Sequence, residues 1–223
     1  MNLIEYPDRD ALALDLSDVL TSELGAALRH EDRVTFCVPG GSTPGPIFDA
    51  LTAVRLDWDR VDVVLNDERW VPETSERSNT AMLRRRLLTG HAAAATLLSI
   101  RADTATPEDA LDGLAADLAP HLPLDVLLLG MGADMHTASL FPGADRLADA
   151  LAPRAPLLLP MRAPDLPEAR ITLSAEALRG ALSTHILITG AEKRRALEAA
   201  RDLPPEEAPI AALLDGAIVH WAE

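Results

Sequence analysis

Aromatic residues are scarce in this 223-residue chain, at 3% of positions, and cysteine occurs once. With so few rings, the core has to be built from Leu, Ala, Val and Ile. The single cysteine, Cys37, excludes an intrachain disulfide. It stands in an apolar run and reads as a small buried hydrophobe. No stretch approaches the ~18 consecutive apolar residues of a membrane span. The opening MNLIEYPDRD carries acids where a secretory signal needs a basic start and an apolar stretch, so the expected setting is cytoplasmic. Positive charge is also short. Lys and Arg number 20 against 35 Asp and Glu, a formal charge of −15. An evenly acidic surface repels phosphate backbones and anionic lipid, which argues against nucleic-acid and membrane partners. An anionic small molecule would need cations gathered locally. The His residues at 30, 91, 121, 136, 185 and 220 lack ligand spacing and no HExxH occurs, so no metal site is expected.

What is present is an ordinary globular balance, 48% hydrophobic and 25% charged. The length suits a single α/β domain over 1–223, with room for a small extra lobe. Apolar residues at helical spacing predict a helix over Asp10–Arg29. Further helices are expected at Pro46–Ala53, from an N-cap at Ser78 to Leu88, at Pro107–Ala119 and at Ala191–Arg201. Short apolar, largely aliphatic runs predict buried strands at Arg33–Val38, Val61–Leu65, Leu124–Gly130, Thr184–Thr189 and Ala217–Trp221. Weaker strands are expected at Leu157–Met161 and Arg170–Leu173, with a Pro-rich loop between them. Strands alternating with helices, several apolar throughout, predict a mostly parallel, Rossmann-like sheet with helices on both faces.

Such sheets bind ligands beyond the carboxyl ends of their strands. Four segments fall there: Pro39-Gly40-Gly41-Ser42-Thr43-Pro44, Asn66-Asp67-Glu68-Arg69-Trp70, Gly130 to Thr137, and Thr189-Gly190-Ala191-Glu192-Lys193. The glycines of the first permit close backbone approach to a ligand. Ser42 or Thr43 can cap the following helix, whose free N–H groups suit a phosphate; an ordinary capped turn is the alternative. A P-loop is excluded because no Lys follows, and a nucleophile elbow because Pro44 stands where Gly is needed. His136, two residues past Asp134, is a candidate general base or else a surface His beside a loop acid. Arg69, Arg170 and Lys193 are candidate anion contacts; Arg84-Arg85-Arg86 reads as a solvated helix face. Trp58 and Trp221 read as packing residues. His30, His91 and His121 read as solvated, and His185 and His220 as packed within strands.

Taken in order, VPGGSTPGPIFDAL, NDERWVP…SN, LLLGMGADMHTASLFPG, RITLS and ITGAEKRRAL resemble the 6-phosphogluconolactonase family over nearly the whole chain. The resemblance implies hydrolysis of 6-phospho-D-glucono-1,5-lactone to 6-phospho-D-gluconate in the oxidative pentose phosphate pathway. It also implies a site without metal or cofactor, a small-molecule sugar-phosphate lactone as partner, and a monomer or weak homodimer. His136 matches the family's catalytic histidine and Asp134 the acid beside it. Gly40, Gly41, Ser42, Thr43, Asp67, Arg69, Arg170 and Lys193 match positions expected to hold the phosphate or the sugar. The oxyanion is expected on the N–H groups of the Gly130–Gly132 bend or on Arg69. One departure stands out: the family's Asp-Gly-His reads Asp134-Met135-His136 here.

Two rivals accompany that reading. An aminosugar-6-phosphate isomerase/deaminase resembles the lactonase at the phosphate loop and the histidine. It usually carries Glu five residues past the histidine, where this chain has Phe141, and an aromatic where this chain has Arg69. A non-catalytic sugar-phosphate sensor commonly carries a helix-turn-helix, for which no spare segment is found.

Overall fold

The computed structural model describes residues 1–164 and 166–223. Its strands are β1 (Asn2–Glu5), β2 (Val34–Val38), β3 (Val61–Leu65), β4 (Asp67–Arg69), β5 (Thr96–Leu98), β6 (Val126–Gly130), β7 (Leu158–Met161), β8 (Arg170–Leu173), β9 (Ser183–Thr189) and β10 (Ile218–Ala222). The helices are α1 (Arg9–Ala27), α2 (Gly45–Thr52), α3 (Asn79–Arg86), α4 (Leu111–Leu118), α5 (Leu147–Leu151), α6 (Ala175–Arg179) and α7 (Ala191–Ala200).

Seven strands form one sheet in the order β1-β10-β9-β6-β2-β3-β5, every pairing parallel. All residues of β2 and β3 are buried, so both sheet faces are covered and the strands are apolar apart from Thr35 and Asp62. Helix α1 starts where the Asp8 side chain accepts from Ala11 N at 2.8 Å. Leu16, Leu20 and Leu24 recur on one face and are fully buried, each contributing roughly 1.5–3 kcal/mol on area grounds. The core is aliphatic apart from a few large rings, of which Trp58, Phe36 and Phe48 are fully buried. Cys37 is buried among them, and burial pushes its thiol up.

The extra lobe takes the form of a second sheet, β4-β8-β7, antiparallel throughout. The chain passes from one sheet to the other at Asn66. Its N–H donates to Val38 O and its carbonyl accepts from Leu173 N, each at 2.9 Å. The segment 67–69, expected as loop, is therefore a strand, held by pairing with β8 rather than by any apolar content of its own. The helix expected over Pro107–Ala119 is interrupted: a 3-10 turn at Pro107–Asp109 precedes α4, with Ala110 between them.

Two histidine expectations part ways. His185 and His220 are fully buried, as expected of packed strand residues. They form a hydrogen-bonded chain, Tyr6 Oη to His220 Nδ1 at 2.8 Å, His220 Nε2 to His185 Nδ1 at 3.0 Å and His185 Nε2 to Glu23 Oε2 at 2.8 Å. The Glu23 carboxylate only accepts, so the chain of donors runs from Tyr6 to Glu23. Burial, reinforced by His185, pushes His220 down to about 4. His121 is not simply solvated, contrary to expectation: its Nδ1 lies 3.1 Å from Asp62 Oδ2. Asp62 is buried in an otherwise apolar strand and needs partners, which His121 and Arg33 supply.

Candidate active site

The carboxyl ends of β2, β3, β6 and β9 open onto a cleft of about 330 Å³, within the size range of small-molecule sites. It receives Gly40, Gly41 and Thr43 after β2, Asp67 and Arg69 in β4, and His136 from the loop after β6. Arg170 reaches it from β8 and Lys193 from the first turn of α7. Two residues expected there stand back. Ser42 is exposed and lines adjoining hollows, and Asp134 sits behind His136. Neither Ser42 nor Thr43 caps α2, because Pro44 occupies the cap position with no side-chain bond. Both hydroxyls are left outside the helix's own hydrogen bonding.

The loop carrying His136 is a tight fold of chain. Gly132 N donates to His136 O at 2.9 Å, Met135 N to Gly132 O at 3.1 Å, and Thr137 Oγ1 to Gly130 O at 2.8 Å. A Cβ on Gly132 would fall 2.2 Å from His136 Nδ1 and 2.3 Å from Asp134 Oδ1, so only glycine lets the two side chains meet above the bend. They do meet, with Nδ1 2.5 Å from Oδ1. That hydrogen bond holds the Asp134 carboxyl below its usual range, against the opposing effect of burial. A carboxylate accepting from Nδ1–H fixes the tautomer and leaves Nε2 as the acceptor facing outward chemistry. The Phe141 ring lies over the imidazole, centroids 4.4 Å apart, and the Arg170 guanidinium stands 5.8 Å from the Phe141 ring. The Gly132 N–H is engaged with His136 O, which removes it from the donors expected for an oxyanion.

The cations differ in what they are free to do. Arg170 is buried between Asp67 Oδ2 at 3.7 Å and Glu168 Oε1 at 4.0 Å, and burial lowers its affinity for the proton. Arg69 donates to Arg77 O at 2.6 Å. Lys193 is half-buried, its ammonium pushed down by burial against the pull of Asp134 and Glu192, and it forms no ion pair among the described residues. It is also the only lysine in the chain, a signal that a residue count would have raised. The run Arg84-Arg85-Arg86 is a surface face, with Arg84 paired to Glu73 and Arg86 to Asp49.

Sequence reading missed Asn79 and Glu68. Asn79 lines the cleft and donates through Nδ2 to Asp67 O at 3.0 Å. Glu68 is fully buried. Asn79 follows the Ser78 cap, and a polar residue there looks like any first helical turn, so only the fold brings it to the site. Among the described residues no group of three or more His, Cys, Asp or Glu is arranged to hold a metal ion.

Met135 holds φ 65°, the left-handed region where a non-glycine residue costs roughly 1–2 kcal/mol. Its side chain packs on the core and does not line the cleft. Met135→Gly should relieve that strain while losing packing and up to about 1 kcal/mol of unfolded-chain entropy. The expected result is a Tm within about 4 °C of the parent and kcat/KM equal or modestly higher. Thermal denaturation with a steady-state assay checks it; losses in both would mean that Met135 packing outweighs the strain.

The fold and cleft define an α/β protein with a histidine–carboxylate pair and, at the strand ends, a cation without an ion pair among the described residues, fit for small anionic substrates. The family described as glucosamine-6-phosphate isomerases/6-phosphogluconolactonase matches residues 7–221, and the chain belongs to it. A 6-phosphogluconolactonase of Mesorhizobium japonicum is 39% identical, covering 97% of this chain and 93% of that protein. One of Pseudomonas aeruginosa is 38% identical over 94% and 90%. The crystal structure of a 6-phosphogluconolactonase from Shewanella baltica superposes with a TM-score of 0.96 at 30% identity, covering 100% of this chain and 98% of that one.

Proposed function

We infer that the protein is a 6-phosphogluconolactonase, hydrolysing 6-phospho-D-glucono-1,5-lactone to 6-phospho-D-gluconate in the oxidative pentose phosphate pathway. Its near-full-length relatives bear that name. The observation that favours this over the aminosugar isomerase is Phe141: an aromatic ring packs on His136 where that rival usually places a carboxylate.

A lactone is an activated ester, so positioning, a base and charge stabilisation suffice. His136 Nε2 takes a proton from water as the oxygen adds to C1. The developing oxyanion is received by Arg69 or by the N–H groups of the Gly130–Gly132 bend other than that of Gly132, which is engaged with His136 O. The C1–ring-oxygen bond then breaks, and the imidazolium returns its proton to the leaving ring oxygen. Asp134 holds the imidazole in the competent tautomer. Lys193 and the Gly40–Thr43 loop anchor the phosphate, Ser42 standing at the margin of that subsite. Asp67 and Arg170, tied to each other, border the sugar. No cofactor enters this scheme. The chain is read as one cytoplasmic domain, a monomer or weak homodimer, without nucleic-acid or membrane partners; no helix among the described residues is long and apolar enough to cross a membrane.

The test is a pH-stat or spectrophotometric assay with freshly made lactone against the spontaneous rate; hydrolysis no faster than in buffer sinks the reading. Lys193→Ala should raise KM for the phosphorylated lactone about 10–100-fold, the worth of a charge-assisted contact of ~1.5–3 kcal/mol. Unphosphorylated gluconolactone should be affected far less, because the ammonium acts on the remote phosphate. Equal losses on both substrates would make Lys193 a structural residue.

A further inference from the structure

We propose that Glu68 is the positioning residue of the cleft wall, its buried carboxylate setting Arg69 and Asn79 against each other for the lactone. Glu68 is fully buried. Its Oε1 accepts from Arg69 N at 2.7 Å and Asn79 N at 2.8 Å; its Oε2 accepts from Thr80 N at 2.7 Å and Ser78 Oγ at 3.1 Å. Both oxygens act only as acceptors, and the four donors come from the two ends of the connection that runs from Arg69 in β4 to Asn79 in α3. One carboxylate thus staples the cleft strand to the helix start.

The consequence reaches the cleft through Asn79. Its side chain donates to Asp67 O at 3.0 Å and fits against Gly40, where a Cβ would fall 2.1 Å from it. Asn79 therefore fixes the spacing between the loop after β2 and strand β4, and Glu68 fixes Asn79. The negative charge also occupies the positive end of α3, which would otherwise present free N–H groups beside an anion-binding cleft. Glu68 touches no substrate; it acts through Arg69 and Asn79, and sequence alone cannot separate it from the other acids of NDERW.

This proposal rests on the lactonase reading. Glu68→Gln keeps the shape but turns an amide N–H₂ toward a donor. In the full-length protein, KM for the phosphorylated lactone should rise at least tenfold in the folded variant. In an Asn79→Ala background the same change should cost less than threefold, because the route through Asn79 is already gone. A lowered Tm with unchanged KM, or losses that multiply fully across the two sites, overturns the proposal. If Glu68→Gln does not fold, Ser78→Ala removes one donor together with the α3 cap on Ala81 N and keeps the charge. A severalfold KM increase is then expected, and an unchanged KM overturns the proposal. Should the parent show no lactonase activity, the lactonase reading fails by itself. The staple is then read from the Asn79 side-chain amide NMR signal, expected to shift and broaden in Glu68→Gln; an unaltered signal overturns it.

Discussion

His136→Ala is expected to lower kcat by about 10²–10⁴, the usual contribution of a positioned general base. Of the imidazole nitrogens, Nδ1 is committed to Asp134 at 2.5 Å, so the proton taken from water has Nε2 as its place. The ring is held on three sides, by Asp134, by the loop's own hydrogen bonds and by Phe141. Removing it takes away a proton acceptor without removing any cation of the cleft, so KM should move little. Because the lactone hydrolyses unaided, turnover must be corrected for the spontaneous rate. A variant that keeps near-parental kcat after that correction removes His136 from the mechanism.

Gly132→Ala is expected to be nearly as damaging, by a different route. Gly132 does not hold a positive φ, so the added methyl is admitted by the backbone and barred only by its neighbours. Those neighbours are the proposed base and the acid that orients it, His136 Nδ1 at 2.2 Å and Asp134 Oδ1 at 2.3 Å from the added carbon. The imidazole has to swing away by an ångström or more, and a displacement of that size costs on the order of 10² in rate. The added methyl should destabilise the fold by roughly 1–3 kcal/mol, as overpacking does elsewhere. Steady-state kinetics with a circular-dichroism melt reads both quantities. Full turnover in a folded Ala variant would show that the Asp134–His136 contact adapts and is not required.

Both residues were legible in the sequence to different degrees. His136 stood out because it follows a strand end and a glycine-rich bend, and the fold confirms that edge as the cleft. The short, mostly apolar runs that became β2, β3, β6 and the buried middle of β9 announced themselves because burial on both faces leaves little room for polar alternation. Strand β4 was invisible for the opposite reason. Asp-Glu-Arg has no strand propensity, and only the partner β8, a hundred residues on, makes it one. β1, β5, α5 and α6 were missed because three to five residues carry too little periodicity. Glu68 and Asn79 stood in the quoted motif NDERWVP…SN, but no role could be read for them because it is a contact between segments. The positive φ of Met135 is a property of the bend, signalled in the sequence only by the glycine that the resembling family places there.

The order of the large sheet has a bearing on how the chain is born. β10 lies between β9 and β1, so that Asn2 pairs with Ile218 across most of the sequence. Until β10 leaves the ribosome, β1 lacks the one strand it pairs with among the described residues, and α1, which packs on β10, lacks part of its floor. At typical synthesis rates of ~5–20 residues per second, the amino-terminal strand waits for about ten to forty seconds with its backbone unpaired. The cleft-forming strands β2, β3 and β6 can meet well before that. Assembly is thus expected to proceed from the middle of the sheet outward, with the pairing of β1 and β10 following that of the cleft-forming strands.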